Sequence, residues 1–278
     1  MGSPLTGPRP PAGPGSRGPG LPGAAVPQTG PPGRARPETD AVLLPREFFA
    51  GPSLQVAPRL LGCVLEHHSP AGLVAVELTE VEAYEGSADP ASHSYRGRTA
   101  RNGVMFGPPG HAYVYFTYGM HFCVNLVCLP EGTASAVLLR AGRVIEGAPL
   151  AAARRLAGRP AARVPDRDLA RGPARLGQAL GIDRAQDGAD VCDPASPLRV
   201  RAAAAAGPGP APASRPGLAP GAGAISRGPR VGVSSAADRA WRFWLTGDPT
   251  VSVYRPHVPR TRAKPVSLPA ADGGTMHR

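Results

Sequence analysis

The sequence predicts a single α/β mixed (α+β) domain with a curved, largely antiparallel sheet, short helices and a protruding β-hairpin. Segments with strand and helix patterns follow one another without the regular strand–helix–strand repeat that a parallel sheet requires. Residues 112–127 also contain two strand-forming halves around a Tyr-Gly turn, which is typical of a hairpin. The prediction of fold class rests on these two observations.

Length and charge narrow the functional classes. The chain has 278 residues and a net charge of +11, which is enough sequence for one sizeable core or two small ones. The positive charge favours a polyanionic partner such as nucleic acid. A coding bias toward arginine would give the same excess, so charge supports this role without establishing it.

The four cysteines argue against a metal site. They form no Cys-x-x-Cys pair and have no histidines at zinc-site spacing: Cys63, Cys123, Cys128 and Cys192. We therefore expect buried thiols in a reducing compartment, no metal and no cofactor. No run of eighteen apolar residues and no signal-peptide pattern is present, so we expect no membrane association.

Composition divides the chain into a domain and its flanks. Residues 1–40 are about half proline and glycine, which predicts a disordered tail because little apolar surface is available to offset the ordering entropy. We expect the folded domain to span residues 41–256, with a low-complexity loop at 202–224. Residues 257–278 are expected to be a basic flexible tail.

The first ordered elements are expected to build the core. Pro45 and Ser53 can each start a short helix, and a strand follows near residue 64. His67 and His68 are expected at the exposed end of that strand. Further along, helices are predicted at 149–156 and 172–182. Short strands are predicted at three places near the end: 230–233, 241–245 and 250–254.

The strand from Val74 to Tyr84 carries the first chemical signal. Side chains alternate across a strand, so Val76 and Leu78 are predicted to share a face with Glu80, Glu82 and Tyr84. Buried carboxylates need partners, and the alternative is an exposed strand end with solvated acids. Two carboxylates on one face would also suit a glycan hydrolase, although the sequence supplies few aromatic or acidic glycan subsites.

The loop at residues 91–103 is basic and contains no acid. Its donors suit contacts to phosphate, although a solvated basic loop is as plausible. They are His93, Arg96, Arg98, Arg101 and Asn102. Arginines 163, 167, 171 and 175 have the same two interpretations.

The hairpin is the most specific segment. Tyr113–Thr117 forms one strand, Tyr118 and Gly119 form the turn, and 121–127 return. A large ring at a hairpin tip is costly to leave in water, and insertion of such a ring between base steps distorts duplex DNA. Tyr115 lies off the tip and can face a pocket.

Three separated motifs together resemble the alkyladenine (3-methylpurine) DNA glycosylase family. They are EVEAYEGSADPASHSYRGRT, MFGPPGHAYVYFTYGMHFCVN and AVLLRAG, and the likeness extends from about Leu43 to Val253. The resemblance implies a monofunctional DNA glycosylase that flips alkylated or deaminated purines, such as 3-methyladenine or hypoxanthine, out of double-stranded DNA. It would hydrolyse the N-glycosidic bond and leave an abasic site for base excision repair. A monomer is the simplest expectation, in the bacterial nucleoid or a eukaryotic nucleus.

The resemblance also implies a role for each motif residue. Glu82 activates the attacking water and Arg140 helps to hold it, while Glu80 is expected to be structural. Tyr84, His93 and Tyr115 wall the flipped base, Asn125 crowds the 2-amino group of guanine, and Tyr118 fills the gap in the stack. Candidates for contacts to DNA are Arg98, Arg101, Met120 and His121.

Two other classes remain open from the residues. One is a nucleic-acid binding module without catalysis, although binding alone does not require a carboxylate beside a polyanion. The other is a glycan hydrolase that uses Glu80 and Glu82. A Schiff-base mechanism is disfavoured, because the only lysine is Lys264, far from the central motifs.

Overall fold

A computed structural model describes residues 42–117, 119–158, 162–203 and 224–258. The predicted N-terminal tail, Tyr118, nearly all of the low-complexity loop and most of the C-terminal tail lie outside the described residues.

The described part of the chain forms one open sheet with three short α-helices. The helices are α1 (Ser53–Leu60), α2 (Ala148–Arg155) and α3 (Pro173–Leu180). The strands are β1 (Val64–Ser69), β2 (Gly72–Tyr84), β3 (Ala112–Thr117), β4 (His121–Cys128), β5 (Ser135–Glu146), β6 (Ala170–Arg171), β7 (Leu198–Arg201), β8 (Ile225–Gly228) and β9 (Arg242–Leu245). Short 3-10 turns occur at five places: Arg46–Phe49, Gly86–Ala88, Gly103–Phe106, Asp166–Asp168 and Arg184–Gln186.

The sheet order is β3-β4-β5-β2-β1-β7, with β6 paired to β5, β9 to β2 and β8 to β9. All of these pairings are antiparallel. The prediction of a mixed α/β fold with a largely antiparallel sheet is therefore confirmed. Helices and strands near 45–64, 113–127, 149–156, 172–182 and 241–245 also lie where the sequence places them.

Two irregularities in the β2–β5 pairing set the direction of the site residues. Leu78 pairs with Gly142, Glu80 with Ala141 and Val81 with Leu139, so Thr79 and Arg140 have no counterpart. Such β-bulges re-aim the side chains that follow them.

The bulge at Thr79 corrects the predicted alternation. Val76 and Leu78 before it and Val81 and Ala83 after it all belong to one apolar core. The carboxylates of β2 therefore do not share a face with Val76 and Leu78, because the extra residue shifts the side-chain alternation by one position. The apolar core lies on one side of β2, and Glu80, Glu82 and Tyr84 extend from the other.

Two predicted strands are wrong. Residues 230–233 and 250–254 have no strand structure, whereas β8 was missed. In both segments, a backbone N–H group donates a hydrogen bond to a carboxylate of β2 and not to a neighbouring strand. Val231 N donates to Glu82, and Ser252 N donates to Glu80.

The expectation for His67 is also wrong. Its ring is buried, and Nδ1 lies 2.7 Å from the carbonyl oxygen of Leu180 in α3. Burial lowers the pKa of His67, so the ring is neutral and packs as part of the core. All four cysteines are free thiols; Cys63, Cys123 and Cys128 are buried as predicted, whereas Cys192 is only partly buried. Within the described ranges, no helix has the length and apolar character needed to cross a membrane.

The close approach of β2 and β5 predicts that Gly142 tolerates no side chain. A Cβ at this position would lie 2.4 Å from the carbonyl oxygen of Glu77, and a backbone atom cannot move aside cheaply. We expect Gly142→Ala to lower the free energy of unfolding by about 2–3 kcal/mol, measured by urea denaturation. Gly103→Ala is the control, because its nearest neighbour is 4.0 Å away. Equal stability of the two variants would contradict this account of the bulge.

Candidate active site

A cavity of about 400 Å³ opens beside the β3–β4 hairpin. Its walls come from β2, the loop near residue 91, β5, the start of α3 and the segment at 231–234. Six of the residues selected from the sequence line it: Tyr84, His93, Tyr115, His121, Asn125 and Arg140. The fold therefore brings together side chains that are up to fifty-six positions apart in the sequence.

Glu82 lies directly behind this cavity. Its side chain is fully buried and is not part of the cavity surface. One carboxylate oxygen, Oε2, accepts from the Tyr84 hydroxyl at 2.8 Å and lies 3.2 Å from Arg140 Nη1. The other, Oε1, accepts from Val231 N at 2.7 Å. All three partners line the cavity, so the carboxylate is separated from it only by the groups that bond it.

Tyr84 is a hydrogen-bond donor to this carboxylate. Burial and the charge of Glu82 raise the pKa of Tyr84 well above its usual value, which keeps the hydroxyl protonated. The hydroxyl can then donate to Glu82 throughout the neutral range.

Arg140 connects the two carboxylates of β2. Its Nε donates to Glu80 Oε1 at 2.7 Å, while Nη1 faces Glu82. Burial alone would lower the pKa of Arg140, but the two carboxylates raise it. Both glutamates are fully buried, so the alternative of solvated acids at an exposed strand end is wrong.

The aromatic wall of the cavity comes from the hairpin and the basic loop. The rings of His93 and Tyr115 are nearly perpendicular with centroids 4.6 Å apart, and Tyr113 stacks on Tyr115 at 5.7 Å. Desolvation and the nearby Arg101 lower the pKa of His93, so the ring is neutral at neutral pH. Burial raises the pKa of Tyr115. The wall is therefore uncharged and electron-rich, which favours a cationic ring.

Arg230 is a site-building residue that the sequence did not single out. Its guanidinium carbon lies 4.6 Å from the Tyr84 ring centroid and 5.0 Å from that of Trp241. It is buried, pairs with the buried Asp89, and donates to Ala83 O at 3.0 Å. Because Val231 follows directly, this clamp fixes the N–H that Glu82 accepts. In the sequence, Arg230 falls only within the strand predicted at 230–233, a pattern that does not indicate a buried ion pair.

The candidate DNA contacts lie on the basic loop and on the hairpin. Arg98, Arg101 and Met120 are exposed, and His121 is partly buried in the cavity wall. Arg101 Nη2 also donates to Phe116 O at 3.0 Å, which ties the basic loop to the hairpin.

Asn102 does not belong to this exposed set. Its amide is buried, with Nδ2 donating to His93 O at 3.0 Å and Gly97 O at 3.1 Å. Oδ1 accepts from Thr99 N at 2.6 Å. Asn102 thus closes the loop that carries His93, because every polar atom of its amide is used inside the protein.

Comparison with known proteins agrees with this geometry. Residues 47–249 match the model of a family described as methylpurine-DNA glycosylase. A protein of Streptomyces avermitilis is 56% identical over 225 residues, which cover 80% of this chain and 97% of its own length. One from Leifsonia xyli is 51% identical over 216 residues, covering 76% and 92%. One from Frankia casuarinae is 50% identical over 210 residues, again covering 76% and 92%. Their names give 3-methyladenine DNA glycosylase as a provisional assignment.

The chain is a DNA glycosylase, a hydrolase of N-glycosidic bonds in the repair of damaged DNA. It belongs to the methylpurine-DNA glycosylase family. The resemblance stated from the motifs is confirmed, and the glycan hydrolase and the non-catalytic binding module are set aside.

The Arg230–Asp89 pair predicts a large effect on stability. We expect Arg230→Met to lower the free energy of unfolding by about 3–5 kcal/mol, because the buried carboxylate of Asp89 loses its close partner and keeps the more distant Arg239, 3.9 Å away. The control is Arg167→Met, which removes an exposed partner 3.9 Å from Asp168 and should cost less than about 1 kcal/mol. Urea denaturation of both variants measures the difference. A loss of stability at Arg230 no larger than that at Arg167 would show that the clamp does not hold the segment.

Proposed function

We propose that this enzyme extrudes an alkylated or deaminated purine from double-stranded DNA into the cavity and hydrolyses its N-glycosidic bond with a water activated by Glu82. The observation that carries the proposal is the Glu82 carboxylate, held by Tyr84, Arg140 and Val231 directly behind an aromatic cavity. The proposed products are a free purine base and an abasic site. 3-Methyladenine and hypoxanthine are the proposed substrates.

Base flipping is part of the proposal because N-glycosidic chemistry cannot occur inside the base stack. Extrusion of a nucleotide costs a few kcal/mol. Stacking of the base on Tyr84, His93 and Tyr115 offsets part of that cost, at about 1–3 kcal/mol for each base–ring contact. We propose that Tyr118, between Thr117 and Gly119 at the hairpin end, enters the vacated position in the duplex.

Glu82 has the acceptor capacity that water activation requires. In the described part of the chain, Oε1 has one hydrogen-bond donor, Val231 N, and a carboxylate oxygen can accept a second. As the C1′–N bond breaks, its electron pair leaves with the purine and positive charge develops at C1′. The carboxylate stabilises that charge and takes the proton of the water whose oxygen bonds to C1′.

An alkylated purine leaves easily by this route. Such a base is cationic and becomes neutral when it takes the bonding electrons, so it needs no proton from the protein. The uncharged aromatic wall favours that cationic ring. Asn125 donates to Tyr113 O at 3.3 Å, and we propose that its fixed amide crowds the 2-amino group of undamaged guanine.

The surroundings of the site fit a DNA substrate. We propose that Arg98, Arg101, Met120 and His121 contact the duplex around the cavity mouth, with phosphates as the targets of the arginines. We further propose a monomer in which residues 41–256 form the catalytic domain. Because the relatives described above are bacterial, the proposed location is the nucleoid.

The role of Glu82 is tested by Glu82→Gln. We expect the single-turnover release of 3-methyladenine from methylated duplex DNA to fall by at least about 100-fold, because the amide cannot take a proton from water. Affinity for a duplex with an abasic-site analogue should change only a few-fold. Glu66→Gln serves as the control. Glu66 lies on β1, its carboxylate pairs with Arg201 at 2.9 Å, and it is not part of the cavity surface. Turnover that survives in Glu82→Gln would refute the assignment.

The absence of a lysine from the central motifs predicts a purely hydrolytic enzyme. A Schiff base with the sugar requires an amine nucleophile, and the only lysine is Lys264. We expect no covalent protein–DNA adduct when the reaction is run with borohydride, while abasic sites accumulate. A trapped adduct on denaturing gels would overturn the hydrolytic mechanism.

A further inference from the structure

We infer that Glu80 is a positioning residue for the reaction, acting with Arg242 and Ser252 to hold Arg140 against Glu82. This inference rests on the proposed role of Glu82. It extends that role to groups that lie one layer deeper, none of which contributes to the cavity surface.

Glu80 is surrounded by donors. Its Oε1 accepts from Arg140 Nε at 2.7 Å, Arg242 Nε at 2.8 Å and the Ser252 hydroxyl at 2.8 Å. Its Oε2 accepts from Ser252 N at 2.6 Å. Arg242 Nη2 in turn donates to Ser252 O at 2.7 Å, which closes a ring of contacts around the carboxylate. The side chain of Glu80 therefore has a single fixed orientation.

This orientation determines which edge of Arg140 reaches Glu82. Because Nε is held by Glu80, the guanidinium cannot turn its Nε edge to Glu82, and its contact with Glu82 is a single one, from Nη1 to Oε2 at 3.2 Å. A two-pronged contact would occupy both carboxylate oxygens and remove the acceptor position that the water needs. Glu80 thus keeps Glu82 paired with Arg140 while it remains able to accept a proton.

The charges of the cluster balance. Glu80, Glu82, Arg140 and Arg242 are all at most 5% exposed and carry two negative and two positive charges. Such a buried cluster is seldom the most stable solution, because apolar residues of similar volume often match or exceed its contribution. A role in the reaction explains why four buried charges stand immediately behind the cavity.

Several other groups act on Glu82 and stay constant when Glu80 is changed. Besides Arg140, they are Tyr84 on the same strand, Tyr115 on the hairpin, and Arg230 with the N–H of Val231. A shift of the pH profile after a change of charge at Glu80 or Arg242 can therefore be attributed to that change.

The test is Glu80→Gln, assayed as single-turnover release of 3-methyladenine between pH 5 and pH 9. Loss of one negative charge beside Arg140 and Arg242 makes Glu82 a weaker base. We expect the rate at neutral pH to fall roughly 10- to 100-fold and the acid limb of the profile to move to lower pH. Affinity for a duplex with an abasic-site analogue should change by no more than a few-fold.

Arg242→Gln is expected to shift the acid limb of the pH profile in the opposite direction. It removes a positive charge from the same cluster, so the acid limb should move to higher pH. Opposite shifts from two neighbouring substitutions cannot result from a general loss of stability. Glu80→Asp, which keeps the charge, should leave the limb at its wild-type position.

Control variants distinguish an effect on the position of Arg140 from a general effect on folding. Glu66→Gln should retain the wild-type rate and limb. If both charge variants fail to fold, Ser252→Ala, which removes one donor from Glu80, should lower the rate a few-fold at unchanged DNA affinity.

Two outcomes overturn the inference while leaving the proposed function intact. Both apply when Glu82→Gln is inactive. The first is a wild-type rate in Glu80→Gln, or in Ser252→Ala when that variant is the test. The second is a reduced rate in Glu80→Gln with the acid limb of the pH profile at its wild-type position. Retained turnover in Glu82→Gln would instead indicate that the proposed role of Glu82 itself has failed.

Discussion

The burial of two carboxylates on β2 is the constraint that organises this molecule. A carboxylate removed from water is strongly destabilising unless donors replace its hydration. Glu80 and Glu82 are both fully buried, and the donors come from four places in the chain: β2 itself, Arg140 on β5, the segment at 230–231 and the segment from Arg242 to Ser252. The last two lie about 150 to 170 residues from β2, so the end of the chain must be in place before the site is complete.

The paired bulges reconcile this polar layer with the apolar core. If Thr79 and Arg140 were paired in a regular ladder, unbroken alternation would place Glu80 and Glu82 on the same face as Val76 and Leu78. The shift keeps the apolar side chains of both halves of β2 in one core and turns the carboxylates toward the other face. Arg140 is itself the unmatched residue of β5, so the bulge also delivers the guanidinium that both carboxylates require. Structure and chemistry are set by the same local irregularity.

Local sequence signals were sufficient for the hairpin, the helices and the choice of motif residues. The hairpin at 112–128 follows from strand-forming side chains around a Tyr-Gly turn, and that pattern depends on neighbours alone. Tyr84, His93, Tyr115, Asn125 and Arg140 could be selected from motifs, and the cavity brings them together. Residues whose role depends on distant partners could not be identified in this way. His67 is buried with its ring bonded to a carbonyl oxygen of α3, and Arg230 is buried in a pair with Asp89. The segments at 230–233 and 250–254 do not form the predicted strands, and backbone N–H groups in both bond to carboxylates of β2.

The position of Glu82 behind the cavity wall, instead of on it, has an electrostatic reason. In the proposed complex, a DNA duplex brings a dense line of negative phosphates to the cavity mouth, and an exposed carboxylate there would oppose binding. Glu82 is instead covered by Tyr84 and Arg140, and the paired charges of the cluster cancel at the distance of the phosphates. At short range the cancellation is incomplete, because an atom next to Oε1 experiences the carboxylate more strongly than the guanidinium beyond it. In the proposed reaction, the same arrangement is therefore nearly neutral toward the DNA backbone and negative toward the sugar carbon that develops positive charge.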